Sequence, residues 1–213
     1  MKKHGKVFFK YDNQKRFLDF ISSLIVLILL SPLLLLISLA IYFFDEGPIF
    51  FRQLRVGKDG RKFLIYKFRT MKINKNILEE DGKNIETKDD MIEPRKRYKT
   101  TLKNDPRISF IGKFLRPIHL DELPQLINVI SGEMSIVGPR PDAPVQEIDY
   151  SELFWKKRIS IKPGITGYAQ LHQCPLLSDR NFYDEIYIKK RNFIFDFLII
   201  VRTFLKIIVF KSN

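Results

Sequence analysis

From Phe20 to Phe44 the chain carries no charged residue over 25 positions, and this run constrains the fold more than any other feature. As a helix it extends about 37 Å, enough to cross a hydrocarbon layer of about 30 Å. A cleaved leader is a poor alternative, because the apolar stretch is too long and no small-residue cleavage site follows it. The flanks set the expected topology. Residues 1–19 hold six Lys/Arg and residues 45–69 hold seven, so both flanks read as cytoplasmic. A straight span would export one basic flank, whereas a helix that enters and turns back keeps both inside. Ser31-Pro32 lies in the middle of the run. Pro32 removes the hydrogen bond to the Ile28 carbonyl, and the Ser31 hydroxyl can satisfy a freed acceptor within lipid. Residues 1–46 therefore read as a basic N-terminus followed by a re-entrant, kinked helix in the inner leaflet. Residues 47–213 read as one cytoplasmic domain.

The densest chemistry lies in His119-Leu120-Asp121-Glu122-Leu123-Pro124-Gln125-Leu126-Ile127-Asn128. Pro124 is tolerated only in a helix's first turn, which predicts a helix starting near Asp121, with the carboxylates at its positive dipole end. Such a place favours ionised carboxylates and phosphates. An ordinary helix cap is the competing reading. Downstream, Val137-Gly138-Pro139-Arg140-Pro141 presents one arginine from a stiff backbone, and Arg116 lies five residues before Asp121. A guanidinium fork suits a pair of phosphate oxygens, though either arginine alone reads more readily as a solvated surface charge.

These stretches resemble the bacterial sugar transferase family, the monotopic polyprenyl-phosphate phosphoglycosyl transferases. The likeness begins near Lys15-Arg16-Phe17-Leu18-Asp19 and continues through Lys67-Phe68-Arg69-Thr70-Met71, Asp105-Pro106-Arg107-Ile108, Leu120 to Gln125, Val137 to Pro141 and Pro163-Gly164-Ile165-Thr166-Gly167. The resemblance implies transfer of a sugar-1-phosphate from a UDP-sugar to undecaprenyl phosphate, with release of UMP. It implies Asp121 as the nucleophile of a covalent phosphosugar intermediate and Glu122 as the partner acid associated with Mg²⁺. It also implies that Arg116 and Arg140 hold substrate phosphates and nucleotide sugar, and that Ser31-Pro32 is the family's membrane break. A carboxylate attacking a diphosphate faces charge repulsion that Mg²⁺ and arginine would offset, and Mg²⁺ commonly binds through one or two carboxylates plus substrate phosphates. Larger members carry a multispanning N-terminal region, so the resemblance implies a minimal catalytic form here.

Several segments carry weaker signals. Ile49–Val56 and Arg61–Phe68 flank Gly57-Lys58-Asp59-Gly60 and predict a β-hairpin. Lys67 and Arg69 fall in the family's Lys-Phe-Arg motif as substrate-binding candidates, or form a solvated strand face at period two. Lys72 to Lys103 mixes charges of both signs and reads as an exposed loop or short polar helices. Ile108, Phe110, Ile111, Phe114 and Leu115 form a stripe for a membrane surface or for the core. After Gln170 the chain departs from the family pattern, which leaves the sugar open. His119 stands where serine is frequent; it reads as a half-buried histidine more readily than as a residue tuning the nucleophile. Asp184 and Tyr187 match the family's terminal motif, with Asp184 a substrate-binding candidate. Phe193 to Phe210, interrupted by Asp196, Arg202 and Lys206, suits an interfacial helix.

The expected fold is mainly α with a small β-hairpin, an α+β monotopic membrane protein with interfacial helices. A single cysteine, Cys174, excludes an internal disulfide. The net charge of +13 invites a nucleic-acid reading, but no such motif appears, and anionic phospholipid already accounts for basic flanks. Glycoside hydrolysis is disfavoured because its two carboxylates must flank the bond about 5 to 10 Å apart. A non-catalytic membrane scaffold for polysaccharide assembly is the alternative to the transferase. The expected location is the bacterial inner membrane with the catalytic domain on its cytoplasmic face, and downstream glycosyltransferases are candidate partners.

Overall fold

The structure, a computed structural model, describes residues 2–45, 47–72, 91–97, 105–172, 174 and 176–210. It is mostly helical, with the expected hairpin and one further pair of short strands. Most of the expectation for residues 72–103 lies outside the described residues; within it, helix α2 covers Ile92–Arg97.

Helix α1 runs from Lys2 to Phe44 with Pro32 inside it, and its segment Tyr11–Phe44 is long and apolar enough to cross a membrane. The Ser31 hydroxyl donates to the Ile28 carbonyl at 2.8 Å, the acceptor that Pro32 leaves without its helical partner. Both ends of the uncharged run rest on the rest of the protein. At the first end, Arg16 donates to the Val129 and Ile130 carbonyls at 2.5 and 2.6 Å, and Asp19 accepts from the Ser135 hydroxyl at 2.7 Å. At the second end, Ile37 and Ile41 are buried with Phe68 and Leu115. Between them Leu24, Ile25, Val26, Ile28, Leu29, Leu33, Leu35 and Leu36 are exposed. Contiguous apolar exposure on this scale marks a surface made for something other than water.

The hairpin pairs β1 (Phe50–Val56) with β2 (Lys62–Phe68) in antiparallel register. Phe51 opposes Lys67, Gln53 opposes Ile65 and Arg55 opposes Phe63, so these six residues share one face. The outer edge of β2 is closed by a side chain. Asn128 accepts from the Tyr66 backbone N–H at 3.0 Å and donates to the Leu64 carbonyl at 2.8 Å, as a neighbouring strand would. Asn128 belongs to helix α4 (Gln125–Ser131), and through it the helix is fastened to the hairpin. Helix α3 (Phe110–Leu115) resolves its two expected roles at once. Ile111 and Leu115 pack with Ile37 and Ile41, while Phe110 and Phe114 are exposed.

Strand β3 (Ser135–Val137) pairs in parallel with β4 (Gly164–Thr166), a pairing that the sequence did not predict. Three residues are too few to display a period. The close approach needs glycine: a Cβ on Gly164 would stand 2.0 Å from the Gly138 nitrogen. Helices α5 (Glu152–Arg158), α6 (Tyr168–Leu171) and α7 (Leu177–Lys190) follow.

Helix α8 covers Phe193–Phe210, as the sequence indicated. Its polar residues turn inward. Asp196 accepts from Tyr11, Lys15 and Tyr187 at 2.6, 2.5 and 2.8 Å, and Lys206 donates to the Gln170 and Leu171 carbonyls. Ile194, Phe197, Phe204, Leu205 and Ile208 are exposed, so the outward face is apolar and Arg202 is the charge left on the exposed side. This inversion suits a helix lying against lipid.

Candidate active site

The acid pair does not begin an α-helix. Leu120–Glu122 form a single 3₁₀ turn, and α4 starts at Gln125 with Pro124 as its cap residue. The cause is Pro124 itself. Without an N–H it cannot donate to the Leu120 carbonyl, so Leu123 takes that acceptor at 3.3 Å in the tighter 3₁₀ pattern. The helix-dipole argument therefore falls away, since the acids precede a helix of only two turns. Side-chain cations take its place. His119 stands before the turn at φ 55°, a left-handed conformation that histidine adopts more readily than most non-glycine residues, and it is exposed rather than half-buried.

Glu122 lines an open cleft of about 230 Å³ together with Arg55, Ile65, Lys67, Gln125, Arg140, Pro141, Gly164, Ile165 and Gln170. Lys67 lies 2.6 Å from Glu122 Oε1 and Arg140 lies 3.7 Å from the same oxygen. Burial opposes ionisation of Glu122, but Lys67 and Arg140 outweigh it and hold its carboxyl down at about 2. Asp121 moves the other way. Burial, with Glu122 beside it, pushes its pKa above the ordinary carboxylate value, while Lys67, Arg116 and His119 pull against that rise. Neighbouring acids with opposed shifts are a signature of divided chemical roles. Here Glu122 is a fixed negative charge and Asp121 the more basic carboxylate.

The hairpin explains how Lys67 arrives. Lys67 and Ile65 share a face with Arg55, and all three line the cleft. Asn128 then locks the hairpin to the helix that follows the acid turn.

Three predicted residues come together in the cleft, Glu122, Lys67 and Arg140, and Asp121 lies beside Glu122 within the electrostatic reach of Lys67 without lining the cleft itself. Arg116 bears on Asp121 electrostatically but is not among the cleft-lining residues. Two candidates are placed elsewhere. Arg69 is buried and donates to the Asp45 carbonyl at 2.7 Å, because the strand ends at Phe68 and period two no longer applies to the next residue. Asp184 is 2% exposed and pairs with Arg158 at 3.1 Å. Arg55 and Gln170, which the sequence reading did not single out, line the cleft. Arg55 could have been found by extending the Lys67 face across the hairpin register; nothing local marks Gln170.

Fold and site together define a protein with a long apolar helix whose folded domain carries an acid pair at the edge of a cation-lined cleft. A family model described as bacterial sugar transferase matches residues 10–210, and the chain belongs to that family. It is 39% identical over 207 residues to a UDP-glucose:undecaprenyl-phosphate glucose-1-phosphate transferase of Klebsiella pneumoniae, covering 93% of this chain and 41% of that protein. It is 36% identical over 195 residues to the exopolysaccharide production protein ExoY of Rhizobium meliloti, covering 89% and 83% respectively. It is 38% identical over 181 residues to the galactosyl transferase CpsE of Streptococcus agalactiae, covering 84% and 38%. The chain thus spans about two fifths of the Klebsiella relative.

Proposed function

We propose that this chain transfers a sugar-1-phosphate from a UDP-sugar to undecaprenyl phosphate, with Asp121 as the nucleophile. The observation that carries the proposal is the acid pair with opposed pKa shifts at a cleft holding Lys67 and Arg140. An Asp121 carboxylate oxygen attacks the phosphorus that bears the sugar, the bond to the UMP oxygen breaks, and UMP leaves. The lipid phosphate oxygen then attacks the same phosphorus, breaking the bond to Asp121 and giving the polyprenyl diphosphate sugar with the carboxylate restored. Lys67 and Arg140 meet the diphosphate charge, and Arg116 lowers the cost of ionising Asp121. Covalent carboxylate catalysis of this kind has precedent in aspartyl-phosphate enzymes.

Among the described residues no group of three or more His, Cys, Asp or Glu could form a closed metal cage. The donor set still fits Mg²⁺. Lys67 and Arg140 both face Oε1 of Glu122, which leaves its second oxygen for a cation arriving with the donor's phosphates, the usual mode for this ion. When bound, Mg²⁺ would neutralise phosphate charge as a Lewis acid.

For the membrane, the proposal is a re-entrant α1 that keeps the domain on the cytoplasmic face of the inner membrane. Its support is that both ends of the uncharged run rest on one folded domain while the middle is uncovered. A bitopic helix would carry those ends to opposite sides of the bilayer. Labelling of an N-terminal cysteine by an impermeant reagent from outside intact cells would overturn it. The proposed pathway role is the first membrane step of capsule, O-antigen, exopolysaccharide or glycoprotein glycan synthesis, which passes product to downstream glycosyltransferases.

The deciding measurement is UMP release by the detergent-purified chain with undecaprenyl phosphate and Mg²⁺. UDP-glucose and UDP-galactose come first because relatives carry those sugars in their names. Wild type should release UMP with one preferred donor, and Asp121→Asn should lose at least about 10³-fold. Folded wild type inactive with every donor would favour the scaffold alternative.

A further inference from the structure

We propose that Arg158 is a positioning residue that holds Arg140 in place for the donor phosphates, and that buried Asp142 and Asp184 serve to orient Arg158. The inference rests on the reading of Arg140 as a phosphate ligand and assigns it a mechanical support.

The segment Pro139-Arg140-Pro141-Asp142 cannot hold itself. Its two prolines have no N–H, so it cannot pair as a strand, and its four carbonyls take donors from three segments, β1, β4 and α5. The Pro139 carbonyl accepts from the Gly164 N–H at 2.8 Å, and the Asp142 carbonyl from the Val56 N–H at 2.9 Å. The Pro141 carbonyl accepts from Arg55 at 3.3 Å. The Arg140 carbonyl accepts from Arg158 Nη2 at 2.6 Å, the shortest of the four. The Arg140 side chain is half exposed and reaches toward Glu122, so its reach depends on where this backbone is fixed.

Arg158 is well suited to fix it. The residue is 4% exposed, and its planar fork is fully directed. Nε and Nη2 lie 3.1 and 2.9 Å from Asp142 Oδ2, and Nη1 lies 3.1 Å from Asp184 Oδ2. Asp142 is pinned in turn by the Tyr150 hydroxyl at 2.7 Å and by Arg180. The Nε hydrogen bond to Asp142 orients the guanidinium, and Asp184, whose Oδ2 has no hydrogen-bond partner among the described residues, adds an ion-pair contact on another edge. Three buried charged groups and the half-buried Arg180 carry a heavy desolvation cost, and apolar packing could stabilise a fold as well. What the cluster adds is a donor aimed at one carbonyl. Asp184, which sequence reading offered as a substrate contact, thereby acts through Arg158.

The test uses the full chain in detergent with Arg158→Lys, which keeps the charge near both carboxylates but lacks the fork that also reaches the Arg140 carbonyl. We expect kcat/KM for the UDP-sugar to fall about 100-fold, the scale of a misplacement of about 1 Å. Adding Arg158→Lys to Arg140→Ala should then cost less than about twofold more, because residues acting as a unit are not additive. Amide hydrogen exchange should quicken within residues 138–146 and not in α4. Wild-type rates, or a full 100-fold loss repeated on the Arg140→Ala background, would overturn the proposal. Should Arg158→Lys fail to fold, Asp184→Asn removes one of the two charges flanking Arg158 at nearly constant volume and is read through the same cycle. If Arg140→Ala alone leaves the rate unchanged, the phosphate-ligand reading of Arg140 fails, while the exchange measurement still decides whether Arg158 holds the loop.

Discussion

Asp121 and Glu122 ride on a turn fastened by apolar burial and one amide, whereas Arg140 rides on a loop fastened by buried charges. Behind the acid turn, Val129 and Met134 are fully buried against Phe63 and Ile65, and Asn128 supplies the polar link to β2. Behind Arg140 stand Arg158, Asp142, Arg180 and Asp184. The difference follows from what each segment can donate. The acid turn leads into a helix whose apolar face finds a sheet, so ordinary burial places it. The Pro-Arg-Pro segment has neither a period nor the amides to join a ladder, so it is placed through its carbonyls, by two backbone amides and by the side chains of Arg55 and Arg158.

Three substitutions would break or sharpen this contrast. The largest effect is expected for Asn128→Ala, which leaves the Tyr66 N–H and Leu64 carbonyl without their partner. Thermal unfolding in detergent should show a loss of about 2 to 4 kcal/mol, one to two unsatisfied polar groups' worth. A loss below about 0.5 kcal/mol would mean that water replaces the amide and that burial alone fixes the acid turn. Next comes Arg140→Ala, expected to lower kcat/KM for the donor by about 100-fold, one charge-assisted phosphate contact and no less than Arg158→Lys costs, with little change in melting temperature. A large drop in melting temperature would make Arg140 part of the loop's support instead of its load.

The subtlest test is Glu122→Gln, read on the residual activity. As the proposed nucleophile Asp121 would have to be ionised, and its pKa lies above the ordinary carboxylate value through burial and the adjacent Glu122 charge. Activity should therefore fall as pH drops through that raised value. Removing the Glu122 charge removes a like-charge neighbour and frees Lys67 to act on Asp121, and both changes lower the Asp121 pKa. The acid limb of the pH–rate profile should move to lower pH. Movement to higher pH would show that Glu122 helps to keep Asp121 ionised, contrary to the geometry.

What was legible in the sequence was what local rules dictate. The uncharged run, the hairpin around Gly57 to Gly60, the α8 boundaries and the Ser31 partner of Ile28 each depend on residues close together in the chain. The acid pair and Arg140 stood out because proline and glycine beside them restrict the backbone to few conformations. Even there one local rule outcompeted another: Pro124 was read as opening a helix at Asp121, but its missing N–H instead keeps the acids in a 3₁₀ turn.

Tertiary structure alone decided which charges face which. Lys67 and Arg69, two residues apart in one motif, diverge because the strand ends between them. Lys15 and Arg16 look like topology signals in the sequence, yet they clamp Asp196 and the end of α4. Asp184 becomes a charged neighbour of Arg158, and Gln170, which lines the cleft, donates to the Ile165 carbonyl of β4. A local pattern fixes an element because its backbone energies are local. The partner of a charged side chain depends on packing between segments dozens of residues apart, and desolvation makes that choice costly to get wrong.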